Sequence, residues 1–475
     1  MRSFAVLIFI LTFFAPSVFA QSGRVGPKTT TTDTAAAELN NLTAGQMFNE
    51  ANTYAELKFT ELKQKNLSFK DSLYKKIKLE QRQLAAKYAA SLLTRTNLAG
   101  DDFYYLGMLH WIAENTDGAF ESLQKFLAVE KPEAEKLQAA RTAVATIQTR
   151  RKNFDEAEKI LAEYLKTEPL KIIERAKMET ELAAAYQTEK NFTRAAAHAE
   201  EAYRAAKALF TTWASRADGL NVIINAGKNL FEIYKQDGKQ TEADKTLDDL
   251  RKIGVLVQSN GIYYAAVDLK IKYLIETNRK PLALQTYSET LVQAVKDFSL
   301  KSMQEGVVES LKQRERHYKL LGETAIELTD IDKWLPGETQ TLASLRGKVV
   351  VLDFWATWCA PCIDAFPELT EWHRNFQKEG LVILGVTRYY GEVLGEKADA
   401  PAEAEFLANF RKKHNLPYDF VIAKEQTNQT NYGAKSMPTT VLIDRKGIVR
   451  YIETGAGESR KEEIRKEIEK LLAEK

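Results

Sequence analysis

From about Leu42 to His317, apolar residues return every three to four positions, and proline is scarce. Leu123, Phe126 and Leu127, then Ala157, Ile160, Leu161, Tyr164 and Leu165, carry the stripe of amphipathic helices. From about Gly322 the texture changes. Val349–Leu352, Leu381–Val386, Phe420–Ile422 and Thr440–Ile443 are short continuous apolar runs of the kind that form buried strands. Asp444-Arg445-Lys446-Gly447 joins the last run to Ile448–Ile452 as a tight hairpin, and helical segments separate the first three runs. The pattern predicts a multidomain chain: an all-α array over 41–317, then an α/β domain with a mixed central sheet over 322–475.

Within the helical part a unit recurs. NTDGAFESLQKFL, KNFDEAEKILAEYL, KNFTRAAAHAEEAY, DGKQTEADKTLDDL and NRKPLALQTYSETL align on Ala119, Ala157, Ala195, Ala243 and Ala283, spaced 38, 38, 48 and 40 residues apart. Each unit follows another amphipathic helix bearing aromatics, such as Tyr104-Tyr105 or Tyr263-Tyr264. Two helices per unit, with a small residue where they cross, predict a helical-repeat solenoid. The units resemble tetratricopeptide repeats, most closely at KNFDEAEKILAEYLKTEP, where Pro169 closes the second helix. The spacing is longer and less regular than in that family. The resemblance implies a concave surface for a protein partner, and the alternative is a helical spacer that holds the C-terminal domain away from a membrane.

Charge narrows the possible partners. Net charge is +2 over 475 residues, with basic and acidic residues interspersed. No basic stripe with interleaved aromatics offers a nucleic-acid surface. Met1-Arg2-Ser3, the apolar run Phe4–Phe14 and Val18-Phe19-Ala20 predict a secretory signal over 1–20 that is cleaved after Ala20. An uncleaved anchor is the alternative, although the run is shorter than the ~20 residues a spanning helix needs. The Thr- and Ala-rich stretch 21–40 reads as a flexible linker. The expected location is a bacterial periplasm, with the mature chain soluble. Asn-x-Ser/Thr sites at Asn41, Asn66, Asn191 and Asn428 read as chance occurrences.

Both cysteines of the chain lie in Trp358-Cys359-Ala360-Pro361-Cys362. An exported protein using cysteine for stability would spread several along its length, so one Cys-x-x-Cys points to thiol–disulfide exchange. Zinc uses the same spacing but needs two more ligands, and His373 and His414 stand alone in sequence. A strand ending near Phe354 or Trp355 would deliver Cys359 to the first turn of a helix running toward Gln377, where unpaired N–H groups favour a thiolate. Cys362, one turn on, would lie on the same face, more buried, as the resolving thiol. Pro361 sits where no backbone donor is needed and shapes the helix start.

VVVLDFWATWCAPC, Ser436-Met437-Pro438-Thr439-Thr440 and LIDRKG together resemble the thioredoxin superfamily. LASLRGK and Phe366-Pro367-Glu368-Leu369 resemble its exported TlpA/ResA-like branch. The resemblance covers about 322–475 and implies a redox-active Cys359–Cys362 disulfide with no other cofactor and no metal. It implies that Asp353 accepts the proton of the resolving cysteine, as a buried carboxyl with a raised pKa can. It also implies a cis Met437–Pro438 peptide beside the disulfide, pairing with an extended substrate, and a contact surface at Trp358. One departure stands out: where that branch places Glu three residues after the second cysteine, this chain has Ala365. The long polar segment Arg388–Glu403 reads as a solvated loop that is also able to add partner contacts.

The expected activity is thiol–disulfide exchange, in the direction of reducing client proteins, with electrons from a membrane donor and partners recruited by the repeats. An oxidase or isomerase direction and an adaptor with a thioredoxin-like binding module are the alternatives. Peroxidase-like chemistry fits less well, because a Trp-Cys-x-x-Cys arrangement favours dithiol exchange over a single peroxidatic cysteine.

Overall fold

In the computed structural model, residues 41–65, 71–210 and 216–474 are described. The predicted signal and linker, 1–40, and Asn66 lie outside them. The chain divides into two compact units, Met1–Ser215 and Arg216–Lys475.

The first unit holds eight helices among its described residues: α1 (Ala44–Gln64), α2 (Asp71–Leu93), α3 (Asp101–Ile112), α4 (Thr116–Leu127), α5 (Ala134–Arg150), α6 (Phe154–Leu165), α7 (Ile172–Thr188) and α8 (Phe192–Ala208). The second unit opens with five more: α9 (Arg216–Gln236), α10 (Gln240–Leu256), α11 (Asn260–Glu276), α12 (Lys280–Asp297) and α13 (Lys301–Leu320). The five aligned alanines are each fully buried. One turn geometry recurs in front of them. A residue at positive φ (Glu114, Lys152, Lys190, Gly238 or Asn278) is followed by one whose N–H bonds the carbonyl five positions back. Asn115 to His110, Asn153 to Gln148 and Asn191 to Tyr186 are each 2.9 Å, Lys239 to Tyr234 is 2.8 Å, and Arg279 to Leu274 is 2.7 Å. This is the Schellman closure, which satisfies the last carbonyls of one helix while turning the chain into the next.

A six-stranded sheet of order β1-β6-β3-β2-β7-β8 follows. Its strands are β1 (Ile331–Leu335), β2 (Val349–Phe354), β3 (Leu381–Arg388), β6 (Asp419–Ala423), β7 (Thr439–Ile443) and β8 (Val449–Thr454). β2, β3 and β6 run parallel, whereas β1, β7 and β8 pair antiparallel, so the sheet is mixed as expected. A separate two-stranded ribbon, β4 (Glu392–Val393) with β5 (Glu396–Lys397), stands outside it. The remaining helices are α14 (Ala360–Ile363), α15 (Phe366–Phe376), α16 (Ala400–Lys413), α17 (Thr427–Tyr432) and α18 (Glu458–Ala473). No helix among the described residues is long and apolar enough to cross a membrane.

The sheet separates two cores. Val349, Val351 and Trp355 pack on one side with Cys359, Cys362, Phe366, Leu369, Ile464 and Ile468. Val350, Leu352, Phe354, Val441 and Ile452 pack on the other with Val267, Ile271, Leu274, Val307, Leu311 and Tyr318. The second layer of the sheet is therefore made by α11 and α13, helices of the array. Arg316 Nε donates to the Asn431 carbonyl at 2.7 Å, and His317 Nε2 lies 3.0 Å from the Gly433 carbonyl, fastening α13 to α17.

Two sequence expectations need correction. The helix after Cys359 does not run unbroken toward Gln377; it stops at Ile363 and restarts at Phe366. Pro367 lacks an N–H and its ring opposes the carbonyl four residues back, that of Ile363, which breaks the ladder there. The segment Arg388–Glu403 is not simply loop, because it contains the β4–β5 ribbon and the start of α16, capped by the Asp399 side chain on Ala402 N–H.

Candidate active site

The end of β2 carries the chain over the sheet and into the cysteine turn. Cys359 and Cys362 are joined in a disulfide, with Cys359 5% exposed and Cys362 fully buried. Cys359 is the N-cap of α14, and the Cys362 N–H points at its Sγ at 3.3 Å. Because α14 has a single turn, this local donor, rather than a long helix dipole, is what the fold offers a thiolate at Cys359 after reduction. Pro361 is exposed within that turn. Trp358, just before it, is 57% exposed, whereas Trp355 is fully buried against Phe366, Phe410 and Phe420.

Asp353 is buried on β2, opposite Gly385 on β3 and Thr440 on β7. Side chains alternate along a strand, so Asp353 shares the face of Val351 and Trp355, the face of the cysteines. The Thr440 hydroxyl donates to its Oδ1 at a long 3.4 Å, and Oδ2 has no protein partner. Burial pushes the carboxyl up to about 7, with the Thr440 bond a small counterweight. Two further buried polar atoms in this core, Trp355 Nε1 and the Tyr418 hydroxyl, have no protein partner. Burial and then the Asp353 charge raise the Tyr418 phenol well above its ordinary value. Tyr418 was not singled out in the sequence; a tyrosine one residue before a strand carries no motif.

The Met437–Pro438 peptide is cis, Pro438 is buried and Met437 half-buried. Tyr390 bridges this loop to the cysteine turn. Its ring meets Trp358 edge-to-face at 5.6 Å, its hydroxyl lies 3.7 Å from Met437 Sδ, and the Arg388 guanidinium sits 4.1 Å over its face. The structure thus gathers Trp358, Met437 and Tyr390 beside the disulfide. Tyr390 lay inside the segment read as loop, with no signal to separate it from Tyr389.

Residues 322–452 match the AhpC/TSA family. The thiol-disulfide oxidoreductase ResA of Geobacillus thermodenitrificans is 33% identical over 151 residues, covering 32% of this chain and 78% of the relative. The chain belongs to the ResA-like thiol–disulfide oxidoreductases. The thioredoxin-like protein YneN of Bacillus subtilis is 32% identical over 124 residues, 26% of this chain and 66% of that one. The solved pneumococcal exposed lipoprotein thioredoxin Etrx1 of Streptococcus pneumoniae is 26% identical, with 31% of this chain and all of that one covered and a TM-score of 0.26. The domain that carries Cys359 and Cys362 in this oxidoreductase is thioredoxin-like. The α/β part with its mixed sheet and the helical region before it both stand as expected.

Proposed function

We propose that this oxidoreductase reduces disulfides of client proteins outside the cytoplasm. The Cys359 thiolate attacks a client sulfur, breaking the client disulfide and forming a mixed disulfide. The Cys362 thiolate then attacks Cys359 Sγ, releasing the client as a dithiol and closing Cys359–Cys362. Two electrons leave the protein for the client and are restored by an electron donor in the membrane. Asp353 takes the Cys362 proton as that thiol becomes a nucleophile, a role suited to a carboxyl held near 7. Trp358, Pro361, Met437 and Pro438 form the contact surface for the client, and the tetratricopeptide-like helices recruit a protein partner. Export rests on the signal read at 1–20.

The observation that carries this reading is the asymmetry of the pair. Cys359 keeps 5% exposure and directly follows exposed Trp358, whereas Cys362 is fully buried on the face that holds Asp353. The reduction potential of the couple, measured against glutathione and dithiothreitol buffers, tests the direction. A value near −270 mV, roughly that of thioredoxin, supports a reductant; one near −120 mV, roughly that of a strong periplasmic oxidant, makes the protein a disulfide donor.

A further inference from the structure

The ribbon that follows β3 is unfavourable by itself. Glu392 pairs with Lys397 and Val393 with Glu396, so the turn is the two residues Leu394 and Gly395, at φ 53° and 88°. Two positive φ values in a two-residue hairpin make a type I′ turn, which Asn-Gly or Asp-Gly fits. Leucine in the left-handed region is strained by its Cβ. Leu394 is also 88% exposed, more than any other large hydrophobic side chain among the described residues. Strain and exposed apolar surface both oppose folding here, and asparagine or glycine at 394 would relieve both.

The base of the ribbon, by contrast, is held firmly. The buried Glu403 carboxylate accepts from Tyr390 N–H at 2.8 Å and Gly391 N–H at 2.9 Å, and Ala398 N–H donates to the Gly391 carbonyl at 3.0 Å. Tyr390 in turn is locked between Arg388, Trp358 and Met437. Leu394 is four residues further along, at most ~13 Å of chain from Tyr390. An anchored ribbon with a strained apolar tip thus adjoins, through Tyr390 at its base, the Trp358 and Met437 side chains.

We propose that the Glu392–Lys397 ribbon is a specificity element for the reductase reaction, with Leu394 packing on an apolar side chain of an extended client polypeptide a few residues from its reacting cysteine. This rests on the reading that Cys359 and Cys362 act on protein disulfides. The occupant is a polypeptide, because that reading makes protein disulfides the substrates and Leu394 follows, by four residues, the Tyr390 that touches both Trp358 and Met437.

The test uses the full-length protein, reduced with dithiothreitol and freed of it. Its dithiol is oxidised as the substrate disulfide is reduced, and three substrates are compared. Two are disulfide-linked peptide dimers whose cysteine is flanked on both sides, out to roughly four residues, by leucines or by serines. The third is hydroxyethyl disulfide. The wild type is expected to prefer the leucine peptide by on the order of tenfold, the discrimination an apolar contact supplies. Leu394→Asn and Leu394→Gly should shrink that preference to about twofold or less, with the hydroxyethyl disulfide rate unchanged and the melting temperature no lower. A wild type without preference, or variants that keep it, overturns the proposal. Failure to react with any of the three overturns the dithiol reading itself, and this inference with it.

Discussion

Two acidic residues lie in one row of the central sheet, two strands apart, and titrate in opposite directions. Asp353 on β2 faces Thr440 on β7, and Thr440 faces Glu453 on β8. Both carboxylates are buried, at 2% and 8% exposure, and burial pushes each of them up. For Asp353 only a long bond from Thr440 opposes that push, and its pKa rises to about 7. Around Glu453, Lys272, Arg314 and Arg460 more than offset burial, and the carboxyl is held well below its ordinary range. Arg314 reaches Glu453 at 3.0 Å and Asp268 at 3.3 Å, Lys272 bridges the same two acids, and Tyr318 donates to Asp268 at 2.7 Å. Burial is the same on both sides; the supply of cations differs. The chain keeps one carboxyl poised to exchange a proton and fixes the other as a structural anion.

The comparison is broken most severely at Arg314. Arg314→Met leaves Glu453 and Asp268 in the interior with fewer cations, and should cost roughly 3–5 kcal/mol in denaturant unfolding at pH 7. Adding Glu453→Leu should recover part of that loss, since an unpaired charge costs more than an apolar pair. Equal stability of Arg314→Met and the wild type would show that the ion network holds nothing.

The next effect belongs to Asp353. Its folded pKa lies above the unfolded one, so the native state binds the extra proton between about pH 4 and 7, and stability falls as pH rises through that window. Asp353→Asn removes the penalty. The oxidised protein should gain up to ~4 kcal/mol at pH 8, with the gain fading toward pH 4. The same variant should slow resolution of the mixed disulfide by on the order of 10²-fold. A pH-independent difference in stability would refute the raised carboxyl.

His317 should tilt the other way. Burial, reinforced by Arg314, holds its imidazole neutral down to about 4. The unfolded state then binds the extra proton between about pH 4 and 6.5, and stability is lost as pH falls through that range. His317→Gln should lessen the loss between pH 7 and 4 by up to ~3 kcal/mol, read from unfolding at each pH. The smallest change is Tyr418→Phe. It removes a buried hydroxyl without a protein partner and should be neutral or stabilising by about 1 kcal/mol or less.

Much of this was legible because apolar period and motif are local signals. The strands over Val349–Leu352 and Thr440–Ile443, the buried alanines of the helix pairs and the cysteine turn are written in contiguous residues. β1 was not, because Ile331–Leu335 is a short edge strand with a register shift between Ile331 and Lys333, and only Trp334 is buried. The helix-ending turns were hidden because Glu114, Lys152 and Lys190 occupy positions where glycine is the usual mark. Asp353 entered as a candidate through the thioredoxin resemblance, from its place six residues before Cys359. Its surroundings were not readable, since Thr440 on β7 and Tyr418, just before β6, lie far from it in sequence. Glu403 joins Tyr390 across 13 residues through backbone N–H groups, which leave no trace in side-chain pattern.

That α11 and α13 supply the second layer of the sheet has a bearing on how this oxidoreductase can be cut and grafted. The stretch that looks inherited as a piece, from Gly322 onward, is not the stretch that packs as a piece, which begins at Arg216. A fragment started after Leu320 would bare Val350, Leu352, Phe354 and Val441 to water and strand Glu453 without Arg314 and Lys272. Transplanting the catalytic part to another scaffold therefore means carrying at least the two helices that roof it, or redesigning one face of the sheet for solvent.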